Sequence, residues 1–341
     1  MNQFTSYDHM FYADMTFSGV SEDKLAAACR AGIEDNGYPL SGLIRCTIYT
    51  PSYGSGEHIA NALSETLGEN TPVMSIIPTP CTTTGEEFLI SFLGDSALPV
   101  QRRYFDGETI PCAVQCGNYV YTSSLLCRGA SSYEAEVTGV IDTELKALAL
   151  FGLTKEHVVR HLVLSADETK YKSFNELFSP YFRQCAEPAA RSLHGVRELA
   201  GGCTVAMECI AYTGSFKKAV FASDAVKSFP YCSALITEDR CYISGQVGIF
   251  DADGQPLLTL PEQSERMFQI VNAIVTACGF APDMFVETNS YVTLSENIPS
   301  YQELFNKYFT VSPTGHHTYE VSALAHPAIL VEMDAVAVRK E

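Results

Sequence analysis

Tryptophan is absent from these 341 residues, and basic residues are scarce: 22 Lys and Arg stand against 40 Asp and Glu, a net charge of −18. A nucleic-acid duplex is densely anionic and is drawn in by basic surface, so this balance argues against a nucleic-acid partner and reads as solubility instead. No stretch approaches the ~20 continuous apolar residues of a membrane helix, so no membrane partner is expected. Residues 1–20 hold Asp8 and Asp14 but no Lys or Arg, unlike a signal or transit peptide, and the expected location is the cytoplasm. None of the 12 cysteines forms a Cys-x-x-Cys pair; Cys112 and Cys116 come closest. Most lie in apolar runs, such as Cys46 in IRCTIY and Cys209 in AMECIAY, as buried reduced thiols do. Without paired Cys/His spacing no metal is expected. Phosphate-cradling glycine runs are also missing, and no cofactor is expected. What remains is 46% apolar and only 18% charged, enough for packed cores over two or three domains.

The strongest positive signal is repetition. The C-terminal stretch runs as two short strands (231–250), a helix (265–280), a strand (284–294), a short amphipathic helix (300–309) and two strands (317–324 and 328–338). The helix is read from apolar Met267, Ile270, Val271, Ile274 and Val275; the strands are read from alternation and β-branched residues. The middle stretch keeps this ββαβαββ order at 111–127, 136–153, 157–165, 173–182, 190–199 and 203–212. Landmarks align: Phe174-Asn-Glu-Leu-Phe with Tyr301-Gln-Glu-Leu-Phe, and Glu208-Cys-Ile-Ala with Asp334-Ala-Val-Ala. The N-terminal stretch is fainter. It has a strand at 10–20, helices at 24–37 and 58–68, strands at 43–50, 72–79 and 86–94, and is expected to enter part-way through its first hairpin. The expected division is 1–105, 106–218 and 219–341. A sheet with helices on one face needs its other face covered, and three such sheets around one axis cover each other.

The C-terminal unit resembles the RidA/YjgF family over nearly its whole length. The resemblance rests on Tyr231, Ile243-Ser244-Gly245-Gln246, Ala277-Cys278-Gly279 before Asp283, Tyr319-Glu320-Val321 and Val331-Glu332-Met333-Asp334-Ala335. The middle unit resembles it through Thr122-Ser123-Ser124, Asn175 and Pro188-Ala189-Ala190-Arg191-Ser192. The resemblance implies an α+β fold of three tandem chorismate-mutase-like units closed as an intramolecular pseudo-trimer, open to further self-association. It also implies hydrolysis of an enamine or imine, or a related carboxylated metabolite, in a cleft between units. In the family an Arg binds the substrate carboxylate and a Glu on the last strand positions or activates water. Carried over, these are Arg191 and Glu332, with Tyr231, Ser244, Gly245, Asn175 and Ser123 lining clefts. No single unit keeps the set: the middle unit has Ala206 at the Glu position, the C-terminal unit has His316 at the Arg position, and the N-terminal unit has Met74 and Leu89. Three fused units also resemble the chorismatases, which hydrolyse chorismate. There Glu332 would be the key acid, although Thr293 and Leu294 stand where carboxylate-binding arginines are expected. A silent ligand-binding protein is the further alternative; RNA cleavage, an older label of the family, is disfavoured by charge.

Each residue also has a plain structural reading. Arg191 can fork a carboxylate bidentately or make an inter-unit salt bridge. Glu332 lies in an apolar strand, on one face with Leu330 and Asp334; desolvation would lift its pKa into the acid/base range, or it is a bonded structural Glu. His316 and His317 point to opposite faces of a strand, so one can stand in for the missing Arg while the other packs. Ser244 has neither a base nor a nucleophile elbow nearby, which leaves a hydroxyl donor or a strand Ser. Gly245 permits close backbone approach, and Tyr231 caps the cleft or fills the core.

Overall fold

The computed structural model describes residues 2–339 apart from 81, 83–84, 224–226, 228 and 312. The first sheet is built by β1 (Gln3–Tyr7), β2 (Met10–Phe17), β3 (Leu43–Thr50), β4 (Val73–Pro78) and β5 (Phe88–Asp95), with α1 (Glu22–Asp35) and α2 (Tyr53–Leu67) between strands. Its strand order is β1-β2-β5-β3-β4. The second comprises β6 (Val100–Arg103), β7 (Ala113–Cys116), β8 (Tyr119–Thr122), β9 (Leu125–Leu126), α3 (Tyr133–Ala149), β10 (Val158–Ser165), α4 (Tyr171–Phe182), β11 (Ala190–Gly195) and β12 (Val205–Tyr212). The third comprises β13 (Lys218–Val220), β14 (Ala234–Ile236), β15 (Arg240–Val247), α5 (Leu260–Ala277), β16 (Phe285–Val292), α6 (Ile298–Tyr308), β17 (Gly315–Glu320) and β18 (Val331–Val338). In each sheet the strands on either side of the second helix pair in parallel: β3 with β4, β10 with β11, and β16 with β17. β1 pairs antiparallel with β2 from Gln3–Asp14 to Tyr7–Met10, so the expectation that the chain enters mid-hairpin is corrected. β1 escapes a sequence reading because it is an edge strand with three of its five residues exposed, without a clean apolar alternation.

Alternation along the strands sorts side chains between two layers. In the third sheet Ile243, Met333, Ala335 and Ala337 face Met267, Val271 and Phe305 of the helices. Tyr242, Val286, Val336 and Val338 point the other way, into a cluster shared with Tyr12, Ile44 and Leu93 of the first sheet and Val114, Tyr121 and Ile210 of the second. The covered inner faces also hold charge. Arg45 donates to Glu287 at 2.6 Å; Arg160 reaches Glu287 at 3.2 Å and Asp334 at 2.9 Å. Asn289, Ser192 and Tyr291 complete the bonding of Asp334. One charged network thus joins β3, β10, β16 and β18 across all three sheets, with every lone pair of Asp334 directed at a donor as burial demands.

Neighbouring units meet at three seams. At the first, the Met74 amide donates to Ser123 Oγ (3.0 Å) and Ser124 N–H to the Met74 carbonyl (3.0 Å). At the second, the Arg191 amide donates to Ser244 Oγ (2.9 Å), and Cys232 N–H to the Ala189 carbonyl (3.1 Å). At the third, Thr5 donates to the Thr314 carbonyl (2.8 Å) and His317 pairs with Asp14 (3.2 Å). Burial pulls the His317 pKa down, but the Asp14 charge and hydrogen bond more than offset it, and the net pKa is raised. Burial pushes Asp14 up, and His317 reverses that to a net lowering. A raised imidazole pKa adds stability below its unfolded value near 6.5 that is lost as pH rises through the folded value. The lowered carboxyl contributes above about 3.8 and loses that contribution as pH falls. His317→Gln is therefore expected to shift the urea midpoint at pH 5.5 and much less at pH 9; an equal shift at both would show that the pair is not charged.

Candidate active site

The second seam draws together residues from two units. Arg191 is the second residue of β11, beside α4, which follows the Asp167-anchored turn after β10. Its guanidinium lies 4.2 Å from the Tyr231 ring centroid, and 5.2 and 5.8 Å from those of Phe178 and Phe174, a cationic plane held among aromatic faces. One nitrogen donates to Asn175 Oδ1 at 2.7 Å, while Nη1 is buried and has no hydrogen-bond partner among the described residues. Ser244 Oγ donates to the Cys232 carbonyl at 2.5 Å and accepts the Arg191 amide. Its proton is committed, so Ser244 pins the main chain of Arg191 to the hairpin and is not a free donor in the cleft. Glu332 stands on β18 opposite Val247 and Tyr291, and a Cβ at Gly245 would overlap its carboxylate. Gly245 is thus the residue that lets the β15 backbone approach the acid. Glu332 is buried, with only 6% of the residue exposed. Burial raises its pKa to about 8, reinforced by Asp334 and opposed by Arg191. Burial lowers Arg191 to about 10, with Tyr231 and Glu332 opposing. A buried acid of raised pKa and a cation with one free buried nitrogen therefore share this seam, with Tyr231, Asn175, Gly245 and Gln246 half-buried around them.

His316 and Ser123 lie elsewhere. His316 occupies, on β17, the register that Arg191 occupies on β11, but it stacks on Phe305 at 3.9 Å and bonds Thr288 (2.8 Å) and Gln302 (3.0 Å). Burial pushes its pKa down to about 3, with His317 adding to the effect, so it is a neutral packing group where sequence allowed a replacement cation. His317 faces the opposite way, toward Asp14. Ser123 repeats the Ser244 arrangement at the first seam, donating to the Pro111 carbonyl at 2.7 Å. Tyr291 is buried on Asp334, and Thr293 points to the Leu330 carbonyl; neither replaces the arginines absent from that stretch. Phe174 and Phe178, the platform for Arg191, were legible only as the apolar face of a helix. The described cysteines are free thiols, buried except for Cys127. Among the described residues no group of three His, Cys, Asp or Glu is placed to hold a metal, and no helix is long and apolar enough to cross a membrane.

Comparison with known proteins shows what this arrangement of three sheets is similar to. Residues 223–339 match the family described as Endoribonuclease L-PSP, and the resemblance to the RidA/YjgF proteins holds over this C-terminal third. The chain is 27% identical over 123 residues to a RutC family protein of Saccharolobus solfataricus, covering 36% of this chain and 97% of that one. It is 28% identical over 111 residues to the 2-iminobutanoate/2-iminopropanoate deaminase of Mus musculus, covering 32% of this chain and 82% of that one. Over 98% of its length the chain shares its fold with a chorismatase crystal structure, covering 99% of it, at a TM-score of 0.59 and 10% identity.

Proposed function

We propose that the three units form a pseudo-trimer with one working cleft, at the seam of the second and third units, which hydrolyses a carboxylated enamine or imine. The observation that carries this is that a buried Arg191 nitrogen, without a hydrogen-bond partner among the described residues, lies in the same seam as the buried Glu332, whose pKa burial raises to about 8. The Arg191 fork would take the substrate carboxylate, replacing the missing partner with a charge-assisted pair. Protonated Glu332 would give its proton to the enamine carbon, leaving an iminium and a carboxylate. That carboxylate then accepts a proton from water as the hydroxyl adds to the C=N carbon. The same carboxyl protonates the nitrogen, ammonia leaves as the C–N bond breaks, and the proton of the resulting oxocarbenium returns to Glu332. The net change is enamine plus water to ketone plus ammonia, with Glu332 protonated at both ends. A deaminase of this kind among the relatives supports the reading.

The test is ammonia release from 2-iminobutanoate generated in situ; no acceleration over buffer would sink the reading. Arg191→Ala is expected to raise KM about 10–100-fold, the worth of a charge-assisted hydrogen bond. Arg191→Lys should recover little, because an ammonium does not reproduce the planar fork; steady-state kinetics decide. The second reading is enol-ether hydrolysis, since an acid of pKa about 8 that protonates an enamine carbon can also protonate an enol-ether carbon. Chorismate in the same assay panel separates the two.

A further inference from the structure

The first seam is the structural counterpart of the second, as the matched Met74–Ser123 and Arg191–Ser244 bonds show. It holds an open cavity of about 340 Å³, within the size range of small-molecule sites. Its chemistry is inverted. Met74 stands at the guanidinium position and Ala206 at the acid position, opposite Leu126 as Glu332 is opposite Val247. Counting back from the serine, Ile110 takes the place of Tyr231. At these three positions the first seam is therefore apolar where the second is polar, and the guanidinium of the second seam has no counterpart there. Charge survives only as Glu57, Glu108 and Arg128. Arg128 is neutralised by its ion pair with Glu57, and Glu108 has no ion pair among the described residues. The pocket thus couples an apolar patch, with Met74, Ile110 and Leu125, to one net negative charge.

We infer that the first seam is a second ligand site, selective for small organic amines with an apolar body and closed to carboxylates. An ammonium would settle against Glu108, and its hydrocarbon would displace water from Met74, Ile110 and Leu125. The inference does not use the chemistry of Arg191 or Glu332, so it stands or falls apart from the proposed hydrolysis.

The probes are phenethylamine and its anionic counterpart 3-phenylpropanoate, titrated calorimetrically into the full chain at neutral pH. Phenethylamine is expected to bind once per chain. Thr143→Phe, which places a ring in the cavity from α3, should abolish binding, and Asn61→Trp, from α2, provides a second block should the first variant fail to fold. Glu108→Gln should weaken it at least tenfold, and Arg191→Ala should leave it unchanged. No heat up to about 10 mM amine, a range that still detects millimolar affinity, would overturn the inference. So would amine binding indifferent to a folded blocking variant, or 3-phenylpropanoate bound equally well in the same cavity.

Discussion

Glu332→Gln is expected to cut turnover by about 10²–10⁴-fold, the range of a positioned acid/base, while leaving substrate binding by Arg191 in place. The amide keeps the shape of the side chain and the Gly245 approach but has no proton to give. Wild-type turnover should hold below pH 8 and fall as pH rises through the Glu332 pKa of about 8, whereas the residual rate of the variant should lack that limb. Stability supplies a second reading of the same group. Because the folded pKa is raised, ionising Glu332 costs stability as pH climbs from its unfolded value toward the folded one. The Gln variant should therefore match the wild type in urea near pH 4–5 and exceed it near pH 9, as linkage requires. Unchanged turnover in a folded Gln variant would remove Glu332 from the mechanism.

The other large effect is structural. Arg160→Met is expected to destabilise the protein by about 3–5 kcal/mol, the cost of stranding buried charge by removing one partner. Arg160 is 4% exposed and holds both Glu287 and Asp334. Without it Glu287 keeps Arg45, but Asp334 is left with uncharged donors only. The contrast is Arg30→Met. Arg30 and Glu34 form an exposed helical pair, and its loss should cost under about 1 kcal/mol. Denaturant midpoints of the two variants compare them directly; similar small shifts would mean that the central network is not the tie between sheets.

Much of this was visible in the chain, for reasons that also mark where sequence reading stops. The β-branched and aromatic residues of LIRCTIYT predict a strand at 43–50, and β3 occupies Leu43–Thr50. The sequence predicts α2 from residue 58, but it begins at Tyr53, after a Ser52 cap. The run Tyr-Gly-Ser-Gly looks like a loop, yet Gly56 is there because a Cβ would strike Ile76 of β4. The exposed edge strands β6 and β13 carry too little pattern to be seen. In the candidate site the individual residues were nameable, but which of them meet depends on one unit lying against the next, and no spacing encodes that. The central charges leave a weak signal: Arg45, Arg160, Glu287 and Asp334 each lie inside a buried strand, an expensive choice unless the partner lies on another strand.

The third seam couples the first strands of the chain to the last ones: Thr5 meets Thr314, Tyr7 meets the Val338 carbonyl, and Asp14 meets His317. Such closures span almost the whole length and are the slowest kind to find. The first sheet is complete in sequence by Asp95, yet its partners on β17 emerge from the ribosome more than two hundred residues later. During that interval its inward face, with Tyr12, Ile44 and Leu93, has no third sheet to meet. Nascent chains stalled before β17 should therefore bind a hydrophobic dye or a holdase, and released full-length chains should not.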